Sequence, residues 1–442
     1  MIGQQANVKK LIELDKKHFI HPTSSLKQQQ ENGPAVIFRE GQGAVLTDIN
    51  GKTYLDGMAS LFNVNVGYGR VELAEAAKEQ MAQLAYSSCF ATYSNEPAIE
   101  LAAKLAEMTP GNLNAVFFTS GGSESNDTAY KLVRHYWQLK GYPNKNKIIS
   151  RKKAYHGVTV GSTSATGIPV FRSMTTALAP QFFHAETFSP ESVQAIIERE
   201  GADTIAAFIA EPVQGASGVN IAPDGYFQEI RRICDEYNIL FIADEVITGF
   251  GRTGKMFGCE HWGVTPDVML LAKGITSGYF PLGAVVVTDK IHQDLIDLSE
   301  GVFPHGFTYS GHATGCTVAL KNLEIIEREN IVANSQRMGE ELLKGLKALQ
   351  LEFDIVGEVR ALGLIGALEF VKDKLTNERF STPLAPLVKE EAMNRGLILR
   401  DVAFPGDDTV IFAPPLIINK YEVEQMIAIL RQSIIEVGRQ LV

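Results

Sequence analysis

The chain is 442 residues long, 45% hydrophobic and 21% charged, which is ample for a large core and two domains and excludes a mainly disordered chain. Its net charge of −10 offers no basic footprint for nucleic acid, and it contains no run of about eighteen apolar residues to cross a membrane. Four cysteines, Cys89, Cys234, Cys259 and Cys316, lie far apart with no Cys-x-x-Cys pair, which argues for a reducing compartment and against a disulfide framework or a thiolate metal site.

The first nineteen residues hold a short charged helix and no apolar signal segment, so the expected location is the cytoplasm. Residues 35–39 and 44–48 read as hairpin strands around Gly41, Gly43 and Asn50-Gly51. From about 70 to 325 strand and helix patterns alternate, the mark of a parallel sheet with crossover helices. Ser94-Asn95-Glu96-Pro97 opens a helix with Ala98, Leu101, Ala102, Leu105 and Met108 on one face, closed by Pro110-Gly111. Residues 115–119, 148–151 and 206–210 are strands, and Asp224-Gly225 starts a helix with Phe227, Ile230, Cys234 and Tyr237 on one side. After about 326 the texture becomes amphipathic helices with a few strands. Met338, Leu342, Leu346 and Leu349 mark one helix, and residues 361–371 and 409–414 read as strands. Asn419 and Glu422 form a capping box for the last helix, which turns Val423, Met426, Ile427, Leu430, Ile434, Val437 and Leu441 inward. The expected organisation is an N-terminal segment, 1–65, joining the small domain, a large domain, 66–325, and a small α+β domain, 326–442.

The chemistry centres on two fully apolar runs, 239–243 and 268–272, which end at Asp244 and just before Lys273. Ligands bind at the carboxyl ends of parallel strands, so an acid and an amine there point to a shared site. A solvated pair at the sheet rim is the plain alternative. Lys273 is followed by a side-chain-poor stretch, Gly274 to Gly278, which lets a bulky ligand approach. Asp244 follows five apolar residues, where an unpaired charge is unfavourable, and a cationic partner is expected. Ser120-Gly121-Gly122-Ser123 joins a strand to a helix N-terminus, a place suited to a phosphate, although such turns are common. Gly249, Gly251 and Gly254 satisfy Gly-x-Gly-x-x-Gly. A dinucleotide fingerprint needs a helix opening there, whereas Gly258, Gly263 and Pro266 follow closely, which argues against NAD.

Asp244-Glu245-Val246, the Gly249 to Gly254 motif and Lys273 together resemble the signature of the class III aminotransferases, which use pyridoxal phosphate, and the likeness extends over nearly the whole chain. It implies the α/β fold type I of pyridoxal-phosphate transferases, a mainly parallel sheet with crossover helices plus a smaller α+β domain. Lys273 is then the Schiff-base lysine and proton carrier, roles that need a neutral amine and a burial-lowered pKa. Asp244 partners the pyridine nitrogen and keeps it protonated. Val246, two residues on along an extended chain, packs on the ring, and Tyr155 stacks on it. His156 is a neighbour that reads equally as a structural histidine. Gly121, Gly122 and Ser123 form the phosphate cup, and Thr308 reaches the phosphate of the neighbouring subunit, which implies a homodimer with shared sites.

Glu211 and Arg400 form the substrate end in the likeness. The arginine's fork suits a carboxylate and swings away for uncharged amines; a plain inter-domain salt bridge is the other reading. Phe62 and Tyr155 line the substrate pocket, and Phe62 also reads as core. No metal is implied. Within the class, residues 277–284 and 307–312 look most like the omega-amino acid or amine:pyruvate group, which moves an amino group to a keto acid. The alternative is the adenosylmethionine-8-amino-7-oxononanoate aminotransferase of biotin synthesis, which shares Cys259-Glu260-His261 but usually carries paired tryptophans where this chain has Leu61-Phe62. An NAD-dependent dehydrogenase and a non-catalytic binding protein are remote alternatives; the latter predicts loss of Lys273, which is present.

Overall fold

Segments that are apolar at every position cannot present one face to water, so they are driven to the middle of a sheet covered on both sides. The computed structural model describes residues 2–404 and 406–439. The chain opens with β1 (Phe38–Gln42), β2 (Val45–Asp48) and β3 (Thr53–Asp56). Its middle supplies β4 (Leu113–Thr119), β5 (Lys147–Arg151), β6 (Phe182–Ala185), β7 (Ile205–Ala210), the short hairpin β8 (Val213–Gln214) and β9 (Asn220–Ile221), then β10 (Leu240–Asp244), β11 (Val268–Leu271) and β12 (Gly283–Thr288). The last part adds β13 (Val356–Leu362), β14 (Ile365–Phe370), β15 (Leu397–Ile398), β16 (Arg400–Val402) and β17 (Thr409–Phe412).

The central sheet runs β4-β12-β11-β10-β7-β5-β6. Its strands pair in parallel except β12, which lies antiparallel to both β11 and β4. Every residue of β7, β10 and β11 is buried. Side chains alternate between the faces: Phe208, Phe241 and Met269 join one core cluster, while Ile209, Ile242 and Leu270 join the other. This is the mainly parallel sheet of the expected fold class.

Two smaller sheets meet near the site. The first is β1-β2-β3-β15 and the second β13-β14-β17-β16. Because β15 pairs in parallel with β3 and β16 pairs with β17, the segment 397–402 passes from the N-terminal sheet to the C-terminal one, and Arg400 opens β16. Among the described residues no helix is long and apolar enough to cross a membrane.

Two boundaries differ from the sequence reading. The first strand covers 38–42 instead of 35–39, because its register is set from the turn, where Gln42 pairs with Val45 across Gly43. Residues 361–371 are not one strand. They are the end of β13, a turn at Gly363 with φ +58, and β14. An apolar run with no Asn, Asp or Pro at its turn carries little mark of where a hairpin folds back, and a Cβ at Gly363 would stand 2.2 Å from the backbone of Thr253. The final helix, Lys420–Arg439, has the expected reciprocal cap: the Asn419 N–H donates to Glu422 Oε2 at 2.9 Å, and the Glu422 N–H donates to Asn419 Oδ1 at 3.0 Å. Val423, Met426, Leu430, Ile434 and Val437 are buried; Leu441 lies outside the described residues.

Candidate active site

The strands β4, β5, β7, β10 and β11 all end at one edge of the sheet, and each delivers a polar group there. After β4 come the glycines and the helix Gly122–Leu139; after β5, Tyr155 and His156; after β7, Glu211. Asp244 is the last residue of β10, and Lys273 follows β11. These groups surround a cavity of about 160 Å³ that brings together Gly122, Ser123, Tyr155, His156, Glu211, Asp244, Val246 and Lys273. Three further residues line it that the sequence reading did not single out: Asn126, Gly157 and Ile247.

Asp244 is held on several sides. Its Oδ2 accepts from His156 Nδ1 at 2.7 Å and from Asn126 Nδ2 at 3.1 Å, and its Oδ1 accepts the Val246 N–H at 3.1 Å. The Tyr130 hydroxyl donates to Asn126 Oδ1 at 2.8 Å, which fixes the orientation of that amide. At hydrogen-bond range Asp244 thus meets an amide, a backbone N–H and the imidazole. Val246 does not continue the strand as expected: β10 stops at Asp244, whose carboxylate accepts the Val246 N–H where the chain turns. Val246 still reaches the cavity, and a Cβ at Gly122 would meet it at 2.9 Å.

Burial pushes the Lys273 amine down to about 8 from its ordinary 10.5; the negative charges of Asp244 and Glu211 oppose the fall and Arg400 adds to it. Burial likewise pushes the Glu211 carboxyl up to about 8, and the charge of Asp244 adds to the rise. Glu211 Oε1 accepts the Tyr155 N–H at 3.0 Å, whereas Oε2 is buried without a partner. The Glu211–Arg400 pair is not closed. The Arg400 guanidinium lies 5.9 Å from the centre of the Phe62 ring, and Lys273 Nζ lies 6.0 Å from the same ring. Phe62 is buried. Its ring lies within about 6 Å of both cations and is packed in the core, and it is not among the residues that line the cavity.

The helix Gly122–Leu139 begins at Gly121 without a side-chain cap, so its first N–H groups have no side-chain partner. Ser123 Oγ accepts the Val158 N–H at 3.2 Å and keeps its own proton to donate. A Cβ at Gly157 would stand 2.3 Å from that oxygen, which is why this wall requires glycine. Thr308 is exposed and stands outside the cavity of its own chain. The Gly249 to Gly254 stretch opens no helix; it is a series of turns.

The sequence model described as aminotransferase class-III matches residues 26–434. The chain belongs to the class-III aminotransferases. The putrescine–pyruvate aminotransferase of Pseudomonas aeruginosa is 40% identical over 439 residues, which covers 95% of each chain. Among solved structures, a transaminase from the marine bacterium Virgibacillus is 56% identical with a TM-score of 0.97, covering 98% of this chain and 100% of that one. The omega transaminase of Pseudomonas jessenii in complex with PMP is 37% identical with a TM-score of 0.94, covering 97% and 98%.

The cofactor of this aminotransferase is pyridoxal 5'-phosphate, and the cavity fits it. The uncapped helix end offers N–H groups and a positive dipole end to a phosphate. One Asp244 oxygen carries only a backbone donor, a burial-lowered amine faces the cavity, and Glu211 Oε2 awaits a partner.

Proposed function

We propose that this aminotransferase moves an amino group from an omega-amino acid or primary amine to a keto acid such as pyruvate, with Lys273 and Asp244 as its catalytic pair. The observation that carries this reading is a Lys273 amine lowered to about 8 in one cavity with an Asp244 carboxylate held by His156, Asn126 and Val246. In this reading residues 66–325 form the cofactor-binding domain, and 1–65 with 326–442 supply the small domain.

When bound, pyridoxal phosphate supplies a carbonyl for amine exchange and a protonated ring that draws electrons from the substrate's Cα. The first turn of the helix Gly122–Leu139, with Gly121, Gly122 and the Ser123 hydroxyl, would hold its phosphate. Asp244 would hold the ring nitrogen and its proton through the oxygen that carries only a backbone donor. Tyr155 and Val246 would line the place of the ring. Lys273 Nζ, neutral in a substantial fraction near pH 8, takes the proton from the donor's Cα and returns it on the far side of the exchange. Arg400, free of Glu211 and resting over Phe62, binds the carboxylate of the keto acid as a bidentate fork.

The likeness to a putrescine–pyruvate enzyme supports an amine donor with pyruvate as acceptor. The biotin-pathway alternative is not favoured, in keeping with Leu61-Phe62 standing where that family carries tryptophans. A homodimer is supported by the exposed apolar face that includes Phe90, Ile99 and Val302 beside the loop bearing Thr308. In that dimer Thr308 serves the partner's phosphate.

The test is direct. Purified protein is yellow, bleaches with an amine donor and regains its colour with pyruvate, and Lys273→Ala loses transamination by several orders of magnitude. Turnover retained in that variant overturns the assignment of Lys273. A donor panel with pyruvate, run beside adenosylmethionine with 8-amino-7-oxononanoate, decides the substrate class.

A further inference from the structure

Within residues 59–62 the backbone is left-handed at Ala59 (φ 44), Ser60 (φ 58) and Phe62 (φ 63). None of these is glycine, and side chains rarely adopt this region, so the turn persists only where its surroundings hold it. Asp56 provides the hold. It is fully buried at the end of β3. Its Oδ1 accepts the Met58 N–H at 2.8 Å, and its Oδ2 accepts the Ser60 N–H at 2.7 Å and the Tyr68 hydroxyl at 2.6 Å. Bonds to a carboxylate in a dry site are strong, and two of these donors are backbone groups, one within the strained turn and one at the residue just before it.

The same strand end is tied to the segment that carries Arg400. Asp56 is in register with Ile398, the Gly57 N–H donates to the Ile398 carbonyl at 3.0 Å, and the Ala413 N–H donates to the Gly57 carbonyl at 2.7 Å. A Cβ at Gly57 would stand 2.6 Å from the Ile398 carbonyl. One anchor therefore governs two walls, the Phe62 ring and the approach to Arg400, which face each other across 5.9 Å.

We propose that Asp56, supported by Tyr68, is the positioning residue of the substrate side. It holds the strained turn so that the Phe62 ring stays about 6 Å from both Lys273 and Arg400, and so sets how the site discriminates among amine donors of different bulk. This rests on the reading that Phe62 lines the substrate pocket. Asp56 touches none of the groups assigned to the cofactor, so cofactor binding is separable from its effect.

The experiment compares Tyr68→Phe, Asp56→Asn and Phe62→Ala in the holoenzyme, with pyruvate as acceptor and one small and one bulky aromatic primary amine as donors. Cofactor affinity by absorbance titration and Tm are measured beside kcat and KM. Asp56→Asn should raise the donor KM about tenfold, as expected for loss of a charge-assisted hydrogen bond, and Tyr68→Phe should raise it by less. Both should shift the bulky-to-small ratio of kcat/KM towards that of Phe62→Ala, with cofactor affinity unchanged. Adding Ser60→Gly, which takes the left-handed region without steric strain, should recover part of the loss in Asp56→Asn. If both anchor variants keep the wild-type donor ratio while Phe62→Ala changes it, the proposal is overturned and the pocket reading stands. If Phe62→Ala itself leaves the ratio unchanged, the pocket reading falls and the proposal with it. Should Asp56→Asn fail to fold, the donor ratio of Tyr68→Phe decides.

Discussion

Glu211 couples the site to pH. Its carboxyl, pushed up to about 8 by burial, holds a proton in the folded state that the unfolded chain has released above its ordinary value of 4.5. A raised pKa contributes stability that is complete below the unfolded value and is lost as pH rises through the folded one. The cofactor-free protein should therefore lose Tm between about pH 5 and pH 8.5, and Glu211→Gln, which mimics the protonated acid, should flatten that slope; parallel Tm curves for the two proteins would refute the account. Lys273 acts in a higher window with the opposite sign: lowered to about 8 from 10.5, it is short of a proton in the folded state there, so stability rises with pH across that range. The cavity residues the sequence announced were those carried by motifs, among them Lys273, Asp244, Gly122 and Ser123. Asn126 was missed because its contact is with Asp244, distant along the chain, and an asparagine in the second turn of a helix has no pattern that names its partner.

At the scale of elements, local chemistry was legible where the interaction is local. The capping box of the last helix spans Asn419 and Glu422 and needs nothing from the rest of the fold. Asn419→Ala should destabilise the protein by about 1 kcal/mol, read as a lower denaturant midpoint at unchanged slope, and an unaltered midpoint would show that the cap is dispensable. The helix Glu96–Met108 is likewise capped by its own Asn95, whose side chain accepts the Ala98 N–H at 3.0 Å. The hairpin at Gly363 was illegible for the complementary reason: its turn is chosen by a close approach to Thr253, a residue of another segment.

At the scale of the whole molecule, the Gly-x-Gly-x-x-Gly stretch has a structural role that no dinucleotide motif describes. Arg252 within it is completely buried. Its Nη1 donates to the carbonyls of Leu364 at 2.8 Å and Pro414 at 2.6 Å, and its Nη2 donates to Asn65 Oδ1 at 3.0 Å. One guanidinium thus joins the cofactor side, the C-terminal sheet and the N-terminal segment. Burial lowers it to about 9, with the negative charge of Asp56 opposing the fall. Arg252→Met should cost on the order of 3–5 kcal/mol in denaturant unfolding, because it strands three buried acceptors and leaves Asp56 without its countercharge. Arg252→Lys should recover only part, since an ammonium lacks the planar fork. A methionine variant as stable as the wild type would show that the three segments hold together without this latch.

The sequence by itself determined which strands are buried on both faces, which charges stand at their carboxyl ends and which family those charges belong to. Each of these is written in neighbouring residues as periodicity, a cap or a motif. Only the tertiary structure decided that Arg400 rests over Phe62 instead of on Glu211, that Asn126 and His156 share an oxygen of Asp244, and that a strained turn hangs from Asp56. Those outcomes depend on the register between segments far apart in the chain, and register is settled by packing the whole core at once.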